Sequence, residues 1–154
     1  MMLTQITTVE IQGFTARFLH SGDDVSLVEH DLAPRTLAAP LHRHSREDEY
    51  SYVLEGEVGF QLGQEIRFAG PGELVCKPRG RWHAFWNRSD EPAKVLELIA
   101  PGGFEQYFRD IEPLLNRPEP DFAGLGAAVA RYGLEMDFGS IPVISEREGL
   151  ASGA

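Results

Sequence analysis

Residues 40–60 read PLHRHSREDEYSYVLEGEVGF and contain two histidines one residue apart, His42 and His44, followed by a carboxylate, Glu49. Residues i and i+2 of a strand project from the same face, about 7 Å apart along the backbone, so both imidazoles can approach one cation. A third histidine, His83, lies far along the chain, and only tertiary folding can bring it close. Iron, manganese, nickel, copper, cobalt and zinc all accept three imidazoles and one carboxylate, so this set predicts one divalent transition metal.

The histidine pair alone is weak evidence for a metal site, because a motif this short is only a hypothesis. This chain has only 5 histidines, however, and three of them belong to the proposed ligand set. The choice of carboxylate stays open, since Glu47 shares the strand face of Glu49 and Asp48 lies between them. The residues themselves therefore leave Glu47 as an alternative ligand.

Around the histidine pair, the sequence resembles the first signature motif of the cupin family. That motif is H-x-H, four residues, a glutamate, six residues and a glycine. His42, His44, Glu49 and Gly56 occupy these positions with the spacing intact. Within this resemblance, the spacing to Gly56 favours Glu49 over Glu47 as the carboxylate ligand.

A later segment, GELVCKPRGRWHAFWN, resembles the second cupin motif. That motif is a glycine, five residues, P-x-G, two residues, a histidine, three residues and an asparagine. The matching residues are Gly72, Pro78, Gly80, His83 and Asn87. One departure is Thr36, which stands where the first motif begins with a glycine that shapes a turn and binds no metal. The resemblance covers about residues 25–100.

The cupin resemblance implies an all-β fold, a double-stranded β-helix or jelly-roll barrel with the metal inside. The pattern of the chain agrees, because short extended runs broken by turns extend from about residue 14 to residue 100. Such spacing is typical of an antiparallel barrel or sandwich. We therefore predict a barrel over residues 1–100, with a metal-binding core at about 25–100.

Helical periodicity replaces the strand pattern after residue 100. Apolar side chains recur at helical spacing at Phe104, Tyr107, Phe108, Ile111, Leu114 and Leu115. Asp121 is placed to cap a second helix that ends near Gly133. We predict one or two helices over residues 101–138. The low apolar periodicity from Gly139 onward predicts a mobile tail over residues 139–154.

Strand alternation assigns several side chains to the barrel interior. With Glu49 and His83 facing inward, the predicted lining of a pocket beside the metal is Val53, Phe60, Phe85, Asn87 and His30. The apolar members of this set would contact a ring in the substrate. For His30 we favour the simpler interpretation of an ordinary strand histidine.

The same alternation turns four aromatic side chains outward, namely Tyr50, Tyr52, Trp82 and Trp86. Aromatic side chains on the outside of a small barrel favour burial against another surface. The C-terminal helices and a second copy of the chain are the two candidate surfaces. Similar cupins commonly dimerise, so the resemblance favours a homodimer.

Composition restricts the classes of partner. The net charge of −10 disfavours nucleic acid, because phosphate binding needs a basic face. No apolar run approaches the length of a membrane span, and MMLTQITTVE lacks the basic and apolar regions of a signal peptide. The lone cysteine, Cys76, cannot form an internal disulfide, and its apolar neighbours predict a buried side chain. A cytoplasmic location is therefore expected.

Two classes of function fit these observations. The resemblance to small quercetin dioxygenase-like cupins implies an oxidoreductase that binds a small organic substrate, with Glu49 as both ligand and catalytic base. The alternatives are a non-catalytic small-molecule-binding or sensing module, and a metal-assisted isomerase or decarboxylase that needs no oxygen. The ligand set does not distinguish them, because it fixes neither the metal nor the substrate.

Overall fold

The computed structural model describes residues 5–151, in which eleven strands and three helices follow one another along the chain. The elements are β1 Thr7–Ile11, β2 Phe14–Ser21, β3 Ser26–Leu32, β4 Thr36–His44, β5 Asp48–Glu55, β6 Val58–Leu62, β7 Glu65–Ala69, β8 Leu74–Lys77, β9 His83–Asn87, β10 Ala93–Ala100, α1 Gln106–Leu115, α2 Phe122–Arg131, β11 Leu134–Asp137 and α3 Ser140–Glu148.

The strands form two sheets, and every strand pair among the described residues is antiparallel. The six-stranded sheet has the order β1-β2-β3-β10-β5-β8, and the five-stranded sheet has the order β11-β4-β9-β6-β7. Neighbours distant in sequence, such as β3 and β10, lie side by side as expected for a jelly roll. The prediction of an all-β double-stranded β-helix is confirmed, with three short helices rather than one or two.

The interior is built by strands whose side chains alternate between buried and partly exposed. β3 and β10 follow this alternation along their whole length, and β5 buries Glu49, Ser51 and Val53 on one face. A core cluster between the sheets holds Phe14, Leu32, Val53, Val58, Phe60, Leu62, Ala69, Phe85, Ala93 and Val95. The same face therefore carries apolar packing at one end and the polar site residues at the other.

Gly56 connects β5 to β6 in the left-handed backbone region, with φ of 75°. A Cβ at this position would lie 2.9 Å from the Pro92 carbonyl oxygen and 3.0 Å from the Ala93 Cβ. Both backbone conformation and space therefore require glycine here. This turn carries the chain from β5 in the six-stranded sheet to β6 in the five-stranded sheet.

The region after residue 138 differs from the predicted mobile tail. Residues 140–148 form α3, which contacts β4 and covers the outer face of the five-stranded sheet. Its Ile144 packs with Leu150 against Trp86, which is fully buried. The C-terminal helix is thus the surface that covers the outward-facing Trp86. Residues 1–4 of the predicted barrel and 152–154 of the predicted tail lie outside the described residues.

Asp121 and Cys76 are two side chains for which the sequence made a specific prediction. Asp121 caps α2 as predicted, because its Oδ1 accepts a hydrogen bond from the Gly124 amide at 2.8 Å. The prediction for Cys76 is wrong, since its side chain is exposed. Cys76 lies opposite Tyr50 on β5, on the face that points away from the core. Among the described residues, no helix combines the length and apolar character needed to cross a bilayer.

Candidate metal centre

Three strands bring the four predicted ligands together. His42 and His44 come from β4, and His83 at the start of β9 lies directly opposite His42 in the register. Glu49, on β5, reaches the same point from the other sheet. One ligand atom from each residue lies within 4.8 Å of the others, and all four side chains are buried. The spacing suits a single ion between them.

The outer nitrogens, the Nδ1 atoms of the imidazoles, contact backbone carbonyl oxygens in His42 and His83. His42 Nδ1 lies 2.8 Å from the Pro40 carbonyl oxygen, and His83 Nδ1 lies 3.1 Å from the Arg81 carbonyl oxygen. A carbonyl oxygen can only accept, so each Nδ1 carries the proton and leaves Nε2 with a free lone pair. Such outer hydrogen bonds orient metal-binding histidines.

The inner nitrogens provide a direct test of whether a metal fits. His44 Nε2 and His83 Nε2 are buried and make no hydrogen bond. They lie 3.5 and 3.3 Å from the same Glu49 oxygen, Oε2. Buried nitrogens without partners are costly in a folded protein, and a shared cation would satisfy both. The donor set is therefore suited to a divalent transition metal.

The two candidate carboxylates occupy different places. Glu49 faces the three imidazoles, whereas Glu47 lies behind His44, with its Oε2 3.2 Å from His44 Nδ1. Glu47 is itself buried, so it can orient the ring of His44 from the outer side. The geometry places Glu49, and not Glu47, within the cluster.

Burial controls the protonation of the site. It lowers the pKa of His42 well below the ordinary value, with the positive charges of His83 and His44 adding to the effect. Burial also lowers the pKa of His83. For Glu49, burial alone would raise the pKa, but His44, Lys77 and His83 together hold it well below its usual range. Neutral imidazoles and an ionised carboxylate are the forms that bind metal.

An adjacent buried ionic network was not predicted. Lys77 Nζ lies 3.2 Å from Glu49 Oε2 and 2.7 Å from Glu97 Oε1. Ser51 Oγ donates to Glu97 Oε2 at 2.7 Å. The sequence indication of this network was Glu97, a charged residue that shares the buried face of β10 with the apolar Val95 and Ile99. Charged residues are almost never fully buried unless paired, so this position predicted a buried partner.

A cavity of about 590 Å³ opens above the cluster. Its polar floor consists of His30, His42, Glu49, Lys77 and Glu97. Of the five predicted pocket residues, His30 and Phe85 line it. His30 is more than an ordinary strand residue, because it is buried, stacks on Phe14 at 4.5 Å and contacts the cavity.

The other three predicted pocket residues lie elsewhere. Val53 and Phe60 are fully buried in the core cluster, and neither lines the cavity. Asn87 Nδ2 donates to backbone carbonyls, including that of Glu91 at 2.7 Å, and so braces the loop after β9. Alternation identified the buried face of each strand correctly, but it did not tell which positions along that face meet packed core and which meet open space.

The C-terminal elements build the walls of the cavity. Helices α1 and α2 contribute Tyr107, Phe108, Ile111, Leu115, Phe122 and Leu125, while β11 and α3 contribute Leu134, Met136, Ile141 and Ser145. The apolar stripe of α1 therefore packs in the core and also faces the cavity. Phe104, just before α1, reaches the site itself, with its ring 4.5 Å from that of His44.

Comparison with known proteins finds a family match in the central part of the chain. The cupin domain model Cupin_2 matches residues 28–99. Germin-like protein subfamily 2 member 2 of Arabidopsis thaliana is 41% identical over 80 residues, which is 49% of this chain and 36% of that protein. Tetracenomycin polyketide synthase protein TcmJ of Streptomyces glaucescens is 33% identical over 72 residues, 46% of this chain and 47% of that protein. The chain therefore spans less than half the length of these curated relatives.

A solved structure agrees with this match. The sugar phosphate isomerase from a cupin superfamily of Silicibacter pomeroyi is 27% identical, with a TM-score of 0.53 over 58% of this chain and 60% of that one. The matched residues include both strand segments that supply the histidines and Glu49. Residues 28–99 therefore match a cupin domain, and the double-stranded β-helix fold of the described residues agrees with that match.

Proposed function

We propose that this chain is a metal-dependent enzyme that oxidises a small, ring-containing organic molecule with dioxygen. The observation that carries the proposal is that two members of the four-residue cluster, His42 and Glu49, line the floor of a cavity with apolar walls. A structural metal site is closed, whereas a catalytic one keeps a position open to substrate. Cavities of this size and lining are typical of small-molecule sites.

The residues have separate roles in this proposal. His42, His44, His83 and Glu49 would hold a divalent transition metal, with the outer hydrogen bonds of the imidazoles fixing their orientation. When bound, such a metal supplies Lewis acidity and, if it is redox-active, the means to use oxygen. Glu49 is also the base that accepts the proton of an enol or phenol substrate. The apolar walls exclude water from the reacting groups.

A matched set of assays tests the proposal. Protein purified without an affinity tag is analysed for metal, and oxygen uptake is then followed with phenols and diketones, with and without air. We expect a bound transition metal, oxygen-dependent turnover, and loss of turnover in His83→Ala. Turnover that is indifferent to oxygen would exclude the dioxygenase. Failure of the wild type to take up any transition metal would exclude metal chemistry altogether.

A metal-assisted isomerase or decarboxylase is the second candidate, favoured by the likeness to the sugar phosphate isomerase. A sugar phosphate is disfavoured as the substrate, because the cavity walls are apolar and Arg35 is the only arginine among the lining residues. A phosphate group normally needs several donors or positive charges. A non-turnover binding module remains a third outcome, recognised by a ligand that binds without being converted.

We also propose a homodimer formed through the edge of the six-stranded sheet. Leu74 on the edge strand β8 is 58% exposed and lies directly opposite Tyr52, which is 38% exposed. A neighbouring apolar pair on an open strand edge favours association with a second copy. The unpaired Cys76 on this face fits the reducing cytoplasm, which we propose as the location.

A further inference from the structure

Lys77 is a buried cation that has no role in the proposed reaction as described so far. Its side chain is 1% exposed and lines the cavity floor beside His42 and Glu49. Its Nζ forms buried ion pairs with two carboxylates, Glu49 and Glu97, which can take two of the three donors of an ammonium group. The ammonium group therefore keeps donor capacity within the cavity, 4.8 Å from the centre of the Phe85 ring.

A metal held by the cluster would be the second positive group at this floor, beside the ammonium group of Lys77. Two carboxylates of the lining, Glu49 and Glu97, contact Lys77, whereas a third buried carboxylate, Glu47, lies behind His44 and outside the lining. Among the groups that face the open space, the dication and the ammonium group together exceed the two carboxylates in charge, so the floor favours a ligand with an anionic oxygen.

The residues that line the rest of the cavity indicate the chemistry of the remaining part of that ligand. Seven aromatic side chains line it: Phe14, Phe85, Phe104, Tyr107, Phe108, Phe122 and Phe138. Flat rings pack well against such walls, whereas a polar body would lose its hydration without compensation. The ligand class is therefore a ring system with one acidic oxygen, such as a phenol or an enol.

We propose that Lys77 is a ligand-binding residue whose ammonium group receives the oxyanion of a phenol or enol bound in this cavity. The inference rests on the proposed function and extends it, because it adds a second positive group beside the metal. Glu97 contacts the ammonium group through Oε1 and accepts a hydrogen bond from Ser51 through Oε2, so it holds the lysine in place. The ligand binds as its anion, and its proton passes first to Glu49 and then to the buffer, so that Glu49 is ionised again in the complex.

The test uses zinc-loaded protein, since zinc is redox-inert and keeps binding separate from turnover. Calorimetry measures the Kd of 2-naphthol and of its methyl ether, 2-methoxynaphthalene, which has the same rings without an ionisable oxygen. We expect wild type to prefer 2-naphthol. In Lys77→Met, the affinity for 2-naphthol should fall about tenfold, the usual value of a charge-assisted hydrogen bond, while the affinity for the ether is unchanged.

Two further variants control for a general effect of the Lys→Met change and for loss of folding. Lys94→Met makes the same chemical change on the outer side of β10, where Lys94 faces Asp31 and Glu55, and should bind both probes as wild type does. If Lys77→Met fails to fold because Glu97 loses its partner, the double variant Lys77→Met/Glu97→Gln removes both charges. The same loss of preference is expected in that variant.

The outcomes separate this inference from the proposed function. Zinc bound at one equivalent, with an unchanged preference for 2-naphthol in both Lys77 variants, would overturn the role of Lys77 and leave the metal site intact. Wild type that binds no zinc would overturn both. An absence of oxygen-dependent turnover, together with a Lys77-dependent preference, would exclude only the dioxygenase.

Discussion

Glu47 and Glu49 lie two residues apart on the same side of the chain, yet one faces the imidazoles and the other stands behind His44. The chain turns between β4 and β5, so the strand alternation of inward- and outward-facing side chains does not continue across this segment. The three histidines could be selected from the sequence, because they occupy the histidine positions of both cupin motifs with the spacing intact. The sequence could not choose the carboxylate from the residues themselves, since that choice depends on where β5 begins.

The two carboxylates should therefore respond differently to the same substitution. Glu49→Gln removes the anionic donor, and we expect metal affinity to fall by more than the roughly 10- to 100-fold typical of residues behind the ligands. Glu47→Gln should fall within that range, because it weakens only the orientation of His44. Calorimetric titration of metal-free protein with zinc measures both. Equal losses would contradict the assigned positions.

His30 provides a pH test that does not involve the metal. Burial lowers its pKa to about 4, so between that value and 6.5 the unfolded chain binds a proton that the folded chain does not. The free energy of unfolding should therefore fall as the pH is lowered through this range, and His30 contributes up to about 3 kcal/mol of that fall.

The comparison of wild type with His30→Gln in urea at pH 7.5 and 5 isolates this contribution. Metal-free protein is used for both, so that ligand binding does not enter. We expect the difference in stability between the two pH values to be smaller in the variant. An unchanged difference would mean that His30 is protonated in the folded state.

Individual elements were predictable in proportion to the regularity of their pattern. β3, β5 and β10 alternate cleanly, and α1 carries a full apolar stripe, so these elements follow from the sequence. β11 has only four residues, and its position depends on pairing with β4. α3 contains Pro142 and several polar residues, so its sequence resembles a loop. Its helical form depends on tertiary contact with the sheet, which periodicity cannot report.

The contribution of α3 can be measured through Ile144. This side chain is 1% exposed and packs against Trp86 and Leu150. Ile144→Ala should lower the free energy of unfolding by about 2–5 kcal/mol, because it removes buried methyl groups and leaves a cavity. Val143→Ala is the matched control, since Val143 is 61% exposed and the change should cost about 0.5 kcal/mol or less. Chemical denaturation followed by tryptophan fluorescence compares the two, and equal costs would mean that α3 is not docked.

At the scale of the whole molecule, β10 ends at Ala100, and the three helices and β11 follow it. The part after it is not a separate layer, however. β11 joins the five-stranded sheet, α3 packs on that sheet, and α1 with α2 lines the cavity. The family motifs thus locate the floor of the site, whereas residues 101–151 determine most of its walls. We propose that differences in ligand preference between related chains follow this second region.

The proposed homodimer is tested at the edge strand β8. Leu74→Glu places a charge at the centre of the apolar pair with Tyr52, and we expect the dimer Kd to rise by at least tenfold, roughly the effect of losing a buried contact at an interface. Val143→Glu adds the same charge on the exposed side of α3 and should leave association unchanged. Sedimentation velocity over a range of concentrations measures both variants. A wild type that stays monomeric at all concentrations would exclude the dimer.

The pairing of β11 with β4 also imposes an order on biosynthesis. Leu134 lies opposite His44 and Met136 opposite His42, so the strand that carries two metal ligands gains its outer neighbour from residues about ninety positions later. While the ribosome is still making that later segment, the hydrogen-bonding edge of β4 is open. The pocket above the histidines also lacks its walls. A nascent chain therefore completes its centre only after residues 134–137 have been made, and an ion captured earlier would be held in a solvent-accessible, half-built site.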